Sequence, residues 1–118
     1  MPTPPTIKRL FAVSGNECAF PRCKQPLIEN NTVVGEMCHI KGEKPKAARY
    51  DPNQTDRERD SFENLILLCG THHTIIDGDE KKYTVERLTA MKAKHKSKQT
   101  TTFAITDNLA IRIAPSRG

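Results

Sequence analysis

The residues best suited to chemistry in this sequence are cysteines and histidines, and four of them form two close pairs. Cys18 and Cys23 are separated by four residues, and Cys69 and His72 by two. Two short pairs far apart in the chain are typical of a tetrahedral zinc site, because each pair fits on one tight turn. A Cys18–Cys23 disulfide with a buried Cys69 thiol is the alternative. We predict a structural zinc ion that joins the two segments and contributes to folding.

The histidine next to this pair suggests a second cation site. Adjacent residues of a helix point about 100° apart, so His73 faces away from any ion that His72 binds. Asp77 follows four residues later and lies on the same helical face as His73. An imidazole and a carboxylate so placed can hold a second divalent ion. The alternative is a solvent-facing histidine and an ordinary carboxylate at the end of a helix.

The apolar periodicity predicts a small α+β domain that carries these residues. The run 64–69 fits either a buried strand or a helical segment. Thr100–Thr102 predicts a helix break, after which the β-branched stretch suggests a hairpin, a linker or a further element. We therefore divide the chain into a domain over 1–98 and a tail over 99–118. Within the domain we predict helices over 6–14, with Thr6 as N-cap, over 71–77 and from Thr84 to about 95, and strands over 27–28 and 32–40 joined at Asn30-Asn31.

Composition limits the class of protein. The chain has 118 residues, of which 36% are hydrophobic, and it has no tryptophan. A single domain with so thin a core is too small for a barrel or doubly wound enzyme, and it usually needs a metal or disulfide for stability. No apolar run reaches the ~18 residues of a membrane span, and the first residues do not resemble a signal segment. We expect a cytoplasmic protein with reduced, metal-binding cysteines rather than a secreted disulfide protein.

Basic residues favour a polyanionic partner, in line with the net charge of +5. The 41–60 loop is polar throughout, and a long irregular stretch of this kind is usually functional or disordered. We expect it to bind the phosphate backbone of nucleic acid and to become ordered on binding, although its five acidic residues also fit a plain solvated loop. A second, diffuse basic region surrounds His95. The cations of the loop are Lys41, Lys44, Lys46, Arg49, Arg57 and Arg59, and those of the second region are Lys92, Lys94, Lys96 and Lys98.

Read together, these motifs resemble the HNH (ββα-metal) endonuclease family. Three segments follow the order of the family motif: Cys38-His39-Ile40, then 64–69, and then His72-His73 with Asp77. In that motif His39, Asn64 and His73 supply the three letters. The stretch 14–23 and the later 83–88 are similar to the zinc-bearing treble-clef subgroup. The resemblance covers about residues 6–96.

This resemblance implies both a fold and a set of roles. The 64–69 run becomes the second strand of a hairpin, with the 71–77 helix packed on it. His39 would be the general base that activates water, since an imidazole pKa of ~6.5 lies near working pH. Asn64 would orient His39 through a hydrogen bond. His73 and Asp77 would hold one Mg²⁺ or Mn²⁺ ion, and the reaction would be DNA phosphodiester hydrolysis that leaves 3′-hydroxyl and 5′-phosphate ends.

One position departs from the family pattern. Many members carry an acidic metal ligand directly before the first histidine, where this chain has Cys38. A thiolate there would favour a softer ion such as Zn²⁺, and Glu36 on the same strand face would contribute through a water. A buried, inert thiol is the alternative for Cys38.

Family analogy also suggests a biological setting. We expect an endonuclease acting on double-stranded DNA, in restriction or anti-phage defence, fused to or associated with a sensor or recognition domain; assembly into a homo-oligomer stays open. A non-catalytic, zinc-dependent nucleic-acid-binding module is the alternative function.

Overall fold

The computed structural model describes the backbone of residues 1–113 and the side chains of residues 1–99, and it confirms an α+β fold. Among these residues no helix combines the length and the apolar composition needed to cross a membrane. The elements in chain order are helix α1 (Pro4–Ala12), strands β1 (Ile28–Glu29), β2 (Thr32–Val33) and β3 (Glu36–His39), helix α2 (Asp56–Arg59), a 3₁₀ turn (Phe62–Asn64), strand β4 (Leu65–Leu68), and helices α3 (Gly70–Asp77) and α4 (Val85–Ile113).

The strands form two separate antiparallel hairpins, β1 with β2 and β3 with β4, and the second is the pairing that the family resemblance implied for the 64–69 run. Asn30 and Asn31 form the predicted turn between β1 and β2, both with positive φ. The predicted strand 32–40 is wrong as one element, because the chain breaks at Gly35, where a Cβ would lie 2.6 Å from Leu27 Cδ2. Beyond that close approach, β3 leaves β2 and pairs with β4, with His39 opposite Leu65.

Strand β4 separates two small apolar cores, which is why its sequence shows no alternation. Ile66 and Leu68 pack on the side that carries α3, α4 and Cys38. Leu65 and Leu67 pack on the other side, against α1. Both faces of the strand are therefore buried, and successive residues of the paired β3 point to different cores.

The helices begin and end close to the predicted residues, with two corrections. Thr3, not Thr6, caps α1, and two prolines occupy the first turn of that helix. Thr84 accepts a hydrogen bond from the Arg87 N–H at the start of α4, but α4 continues to Ile113. The predicted break at 100–102 and the hairpin after it are thus wrong, since threonine costs a helix only ~0.5 kcal/mol and propagation is cooperative. Residues 114–118 of the predicted tail lie outside the described residues.

The 41–60 loop is held in one shape by its own side chains. Thr55 and Glu58 form a capping box that starts α2. Arg59 donates to the Tyr50 hydroxyl and to the Asp51 carbonyl, each at 3.1 Å. The loop therefore has a hydrogen-bonded internal structure that includes one short helix.

Candidate metal centres and active site

The two predicted pairs converge in one cluster. Cys18 and Cys23 lie in a tight knuckle after α1, Cys69 is the N-cap of α3, and His72 is in its first turn. The ligand atoms of all four side chains lie within 4.8 Å of one another, and all four cysteines of the chain are free thiols. His72 Nδ1 is 3.2 Å from Cys69 Sγ and 3.7 Å from Cys18 Sγ. Tetrahedral zinc bonds would separate such atoms by about 3.3–3.8 Å, so this cluster can hold zinc.

Packing and burial prepare this cluster for a cation. The His72 ring stacks on Phe20, with ring centroids 4.0 Å apart and the planes nearly parallel. This stacking fixes the direction of the imidazole toward the thiols. Burial raises the pKa of Cys18 to about 12, so the thiolate that a metal requires forms only when a cation compensates for its charge.

A second cluster forms on the next face of α3, as the i, i+4 spacing predicted. His73 Nε2 lies 3.1 Å from Asp77 Oδ2, and Cys38 Sγ lies 3.6 Å from Asp77 Oδ1. Glu36, two residues before Cys38 on β3, reaches His73 Nδ1 directly at 2.7 Å. The ligand atoms of Cys38, His73 and Asp77 lie within 4.8 Å of one another.

The electrostatics of the second cluster favour a positive charge. Hydrogen bonds to Asp77 and to Cys38 raise the pKa of His73 to about 11. Burial alone would raise the pKa of Asp77, but bonds from His73 and Arg49 bring it below its usual value. Burial raises the pKa of the Cys38 thiol. A mixed imidazole, carboxylate and thiol set of this kind fits a divalent cation and excludes none of Mg²⁺, Mn²⁺ or Zn²⁺ by ligand type.

Arg49 is a buried cation beside this second cluster. Its side chain is 3% exposed, and its guanidinium donates to Asp77 Oδ1 at 2.6 Å. It also donates to the carbonyls of Ile40 at 2.6 Å and His39 at 3.3 Å. Its φ of 60° is unusual for a non-glycine residue and is held by these bonds. Arg49 therefore ties the 41–60 loop to α3 and to the end of β3.

His39 belongs to a third cluster, with two carboxylates that the sequence did not single out. Its Nε2 lies 3.1 Å from Asp60 Oδ1 and 3.3 Å from Glu43 Oε2, and its side chain is 17% exposed. Burial alone would raise the pKa of Asp60. Its hydrogen bonds to the terminal ammonium and to His39 lower that pKa, so it lies below its usual value. Asp60 lies 21 residues after His39, so no spacing rule links the two, and Glu43 lies four residues after His39 but outside any helix, where that spacing predicts no contact.

The predicted hydrogen bond between Asn64 and His39 is wrong. Asn64 is 6% exposed, and its Oδ1 accepts from the Lys41 N–H at 2.9 Å. Its Nδ2 donates to the carbonyls of Lys41 at 3.0 Å and Arg59 at 2.8 Å. Asn64 thus clamps the two ends of the 41–60 loop together at the end of β3. Its effect on His39 passes through the backbone.

His39 and His73 lie on different sides of the β3–β4 hairpin. His39 alternates with Cys38 along β3, and Cys38 faces α3 and Asp77. Arg49 contacts both sides, since one nitrogen, Nη2, donates to the His39 carbonyl and to Asp77. The Arg49 guanidinium therefore links the backbone at the end of β3 to the cluster of Cys38, His73 and Asp77.

The loop cations predicted to bind nucleic acid divide into three groups by their exposure and pairing. Arg49 and Arg59 are buried and bonded within the protein, which corrects the expectation for these two residues. Lys41 is half-buried and paired with Asp51 at 3.1 Å. The exposed members of the set are Lys44, Lys46 and Arg57.

The sequence also matches a known protein family. A family model described as HNH endonuclease matches residues 12–78. The match covers more than half of the chain and includes the residues of all three clusters, so the chain belongs to the HNH endonuclease family, a family of nucleases. No curated protein matches the sequence.

Proposed function

We propose that this protein is a metal-dependent endonuclease that hydrolyses DNA phosphodiester bonds. The observation that carries the proposal is the His73–Asp77 pair beside Cys38, with His39 on the adjacent strand position, in a chain of the HNH endonuclease family. We assign structural zinc to Cys18, Cys23, Cys69 and His72, and a divalent ion to His73 and Asp77, with Cys38 as a further ligand.

In this proposal His39 is the general base. The carboxylates of Asp60 and Glu43 hold the imidazole proton on Nε2, which leaves the Nδ1 lone pair for a proton from water. The water oxygen bonds to phosphorus as His39 takes its proton, the P–O3′ bond breaks, and the leaving 3′ oxygen takes a proton from solvent water, while the imidazolium returns its proton to solvent. Asp60 and Glu43 act as positioning residues, and their negative charges stabilise the imidazolium that forms.

The other residues prepare the phosphate-binding side. A divalent ion bound by His73 and Asp77 would polarise the phosphate and offset charge on the leaving oxygen. Arg49 holds Asp77 Oδ1, so Oδ2 stays directed toward His73. The proposal requires one phosphate to reach both His39 and the His73–Asp77 pair, and the bonds of Arg49 to the His39 carbonyl and to Asp77 support a site at the end of β3.

We infer the substrate and the setting from analogy with the family and from the exposed cations of the loop. The exposed Lys44, Lys46 and Arg57 would contact phosphates of double-stranded DNA, and such contacts carry little sequence information. We place the nuclease domain at residues 1–98 and propose a role in restriction or anti-phage defence beside a recognition domain.

A cleavage assay with plasmid DNA and a panel of divalent ions tests the proposal. His39→Ala should lower the rate by ~10²–10⁴-fold, because it removes the general base, while zinc content and melting temperature stay unchanged. Asp60→Asn should lower the rate less and should shift the pH profile, because the imidazole stays but loses a negative partner.

Unaltered cleavage by His39→Ala would remove His39 from its assigned role. Binding of DNA by the zinc-loaded wild type without cleavage under every ion tested would favour the non-catalytic binding module.

A further inference from the structure

Three cations surround one aromatic ring on the α1 side of the molecule. The Phe62 ring lies 3.9 Å from Arg9 Cζ, 3.9 Å from Lys92 Nζ and 5.4 Å from Lys96 Nζ. Arg9 is on α1 and the two lysines are on α4, one helical turn apart. We call these four residues the Phe62 cation cluster.

The cation–π contacts with one ring are too weak to offset the mutual repulsion of three neighbouring cations. Each cation–π contact contributes only ~0.5–1 kcal/mol at an exposed position. Burial, together with repulsion from Lys96 and Arg9, lowers the pKa of Lys92 to about 8, with Glu63 as the opposing carboxylate. Arg9 and Lys96 are exposed, so an anion from solvent can approach both.

The cluster lies next to the proposed general base. Lys92 Nζ donates to the Leu65 carbonyl at 2.6 Å, and Leu65 is the residue paired with His39 across the hairpin. One surface groove is lined by Asp60, the partner of His39, and by Arg9 and Phe62 of the cluster. Arg57 adds a cation to the groove, while Asp56 and Glu63 add carboxylates.

We propose that the Phe62 cation cluster binds a backbone phosphate of the nucleic-acid strand, away from the phosphate that is cut. This inference rests on the proposed nuclease function and adds a contact surface to it. Arg9, Lys92 and Lys96 all lie outside residues 12–78, which match the family. Because the faces of the Phe62 ring are turned to cations, the ring is not free to stack on a base, and the contact is independent of sequence.

The salt dependence of binding tests this surface. Affinity for a labelled DNA duplex is measured by fluorescence anisotropy between 50 and 200 mM KCl, with every protein in the His39→Ala background so that the duplex is not cut. Each lost phosphate contact lowers the slope of log K against log[salt] by about 0.9. Because the cluster binds one phosphate, we expect Arg9→Gln/Lys96→Gln to lower the slope by about 1 and Lys96→Gln to lower it by no more than that. Lys92 is left intact because it is bonded to the backbone.

Two control variants separate local contacts from net charge and from folding. Arg9→Lys/Lys96→Arg keeps both charges and should keep the slope. Lys24→Gln removes one charge from the exposed zinc knuckle and should also leave the slope unchanged. An unchanged slope in Arg9→Gln/Lys96→Gln, or an equal fall in Lys24→Gln, would overturn the proposal. The proposal would also be overturned if Arg9 and Lys96 were needed for binding of polyglutamate but not for binding of the DNA duplex.

Cleavage by the wild type is measured separately, which distinguishes the two proposals. A lowered slope without any cleavage supports this surface and overturns the nuclease function. Cleavage by the wild type together with an unchanged slope in Arg9→Gln/Lys96→Gln supports the nuclease function and overturns this surface.

Discussion

Replacement of Asn64 is the sharpest test of how this domain is held together. Asn64→Ala removes three side-chain hydrogen bonds of 2.8–3.0 Å, all to backbone groups of Lys41 and Arg59. Each such bond contributes ~1 kcal/mol net, and its loss leaves a backbone group without a partner. We expect the free energy of unfolding to fall by about 2–4 kcal/mol. That is a large part of the stability of a small domain.

Urea unfolding of the zinc-loaded protein, followed by circular dichroism, measures this change. Asn53→Ala is the matched control, because Asn53 lies exposed in the same loop, and its effect should stay within about 0.5 kcal/mol. Asn64→Asp keeps the oxygen that accepts from Lys41 but turns a carboxylate toward two carbonyls, so it should be no more stable than Asn64→Ala.

The two possible roles of Asn64 predict opposite patterns. If Asn64 clamps the loop, stability falls and cleavage falls with it, because the loop carries Asp60 and Glu43. If Asn64→Ala instead unfolds like the wild type while cleavage is lost, Asn64 acts on the chemistry and our interpretation of its hydrogen bonds is refuted.

Three further predictions concern the metal clusters and the hairpin. Cys69→Ala should release zinc and unfold the domain, because structural zinc contributes ~10–16 kcal/mol of apparent binding free energy; a folded wild type without zinc in metal analysis would contradict this. Cys38→Asp should shift the ion preference of cleavage from Zn²⁺ toward Mg²⁺ and Mn²⁺ if Cys38 binds the ion, whereas the same metal profile would show that it does not. Gly35→Ala should cost ~1–3 kcal/mol, because its Cβ would lie 2.6 Å from Leu27 Cδ2; unchanged urea unfolding would argue against that close approach.

Features that depend on local geometry could be predicted from the sequence. A short spacing places two side chains on one tight turn or on one helical face. The structure brings together each pair predicted in this way: Cys18 with Cys23, Cys69 with His72, and His73 with Asp77. The ends of α3 likewise follow from Gly78 and from the residue types before it.

Features that depend on the path of the 41–60 loop could not be predicted. Arg49 and Arg59 are ordinary loop cations in the sequence, yet tertiary contacts bury them and direct them to backbone carbonyls. Asp60 and Glu43 meet His39 for the same reason. The intrinsic preferences of threonine were also a poor guide to the length of α4, because they are small beside the cooperativity of a long helix.

The alternation along β3 has a consequence for how this nuclease domain can vary. Cys38 and His39 are neighbours in the chain, but they serve opposite sides of the hairpin. Insertion of a single residue between Gly35 and Cys38 would shift the strand by half its repeat and exchange the thiol and the imidazole. Both side chains keep their present sides of the hairpin only if the length of β3 changes by an even number of residues.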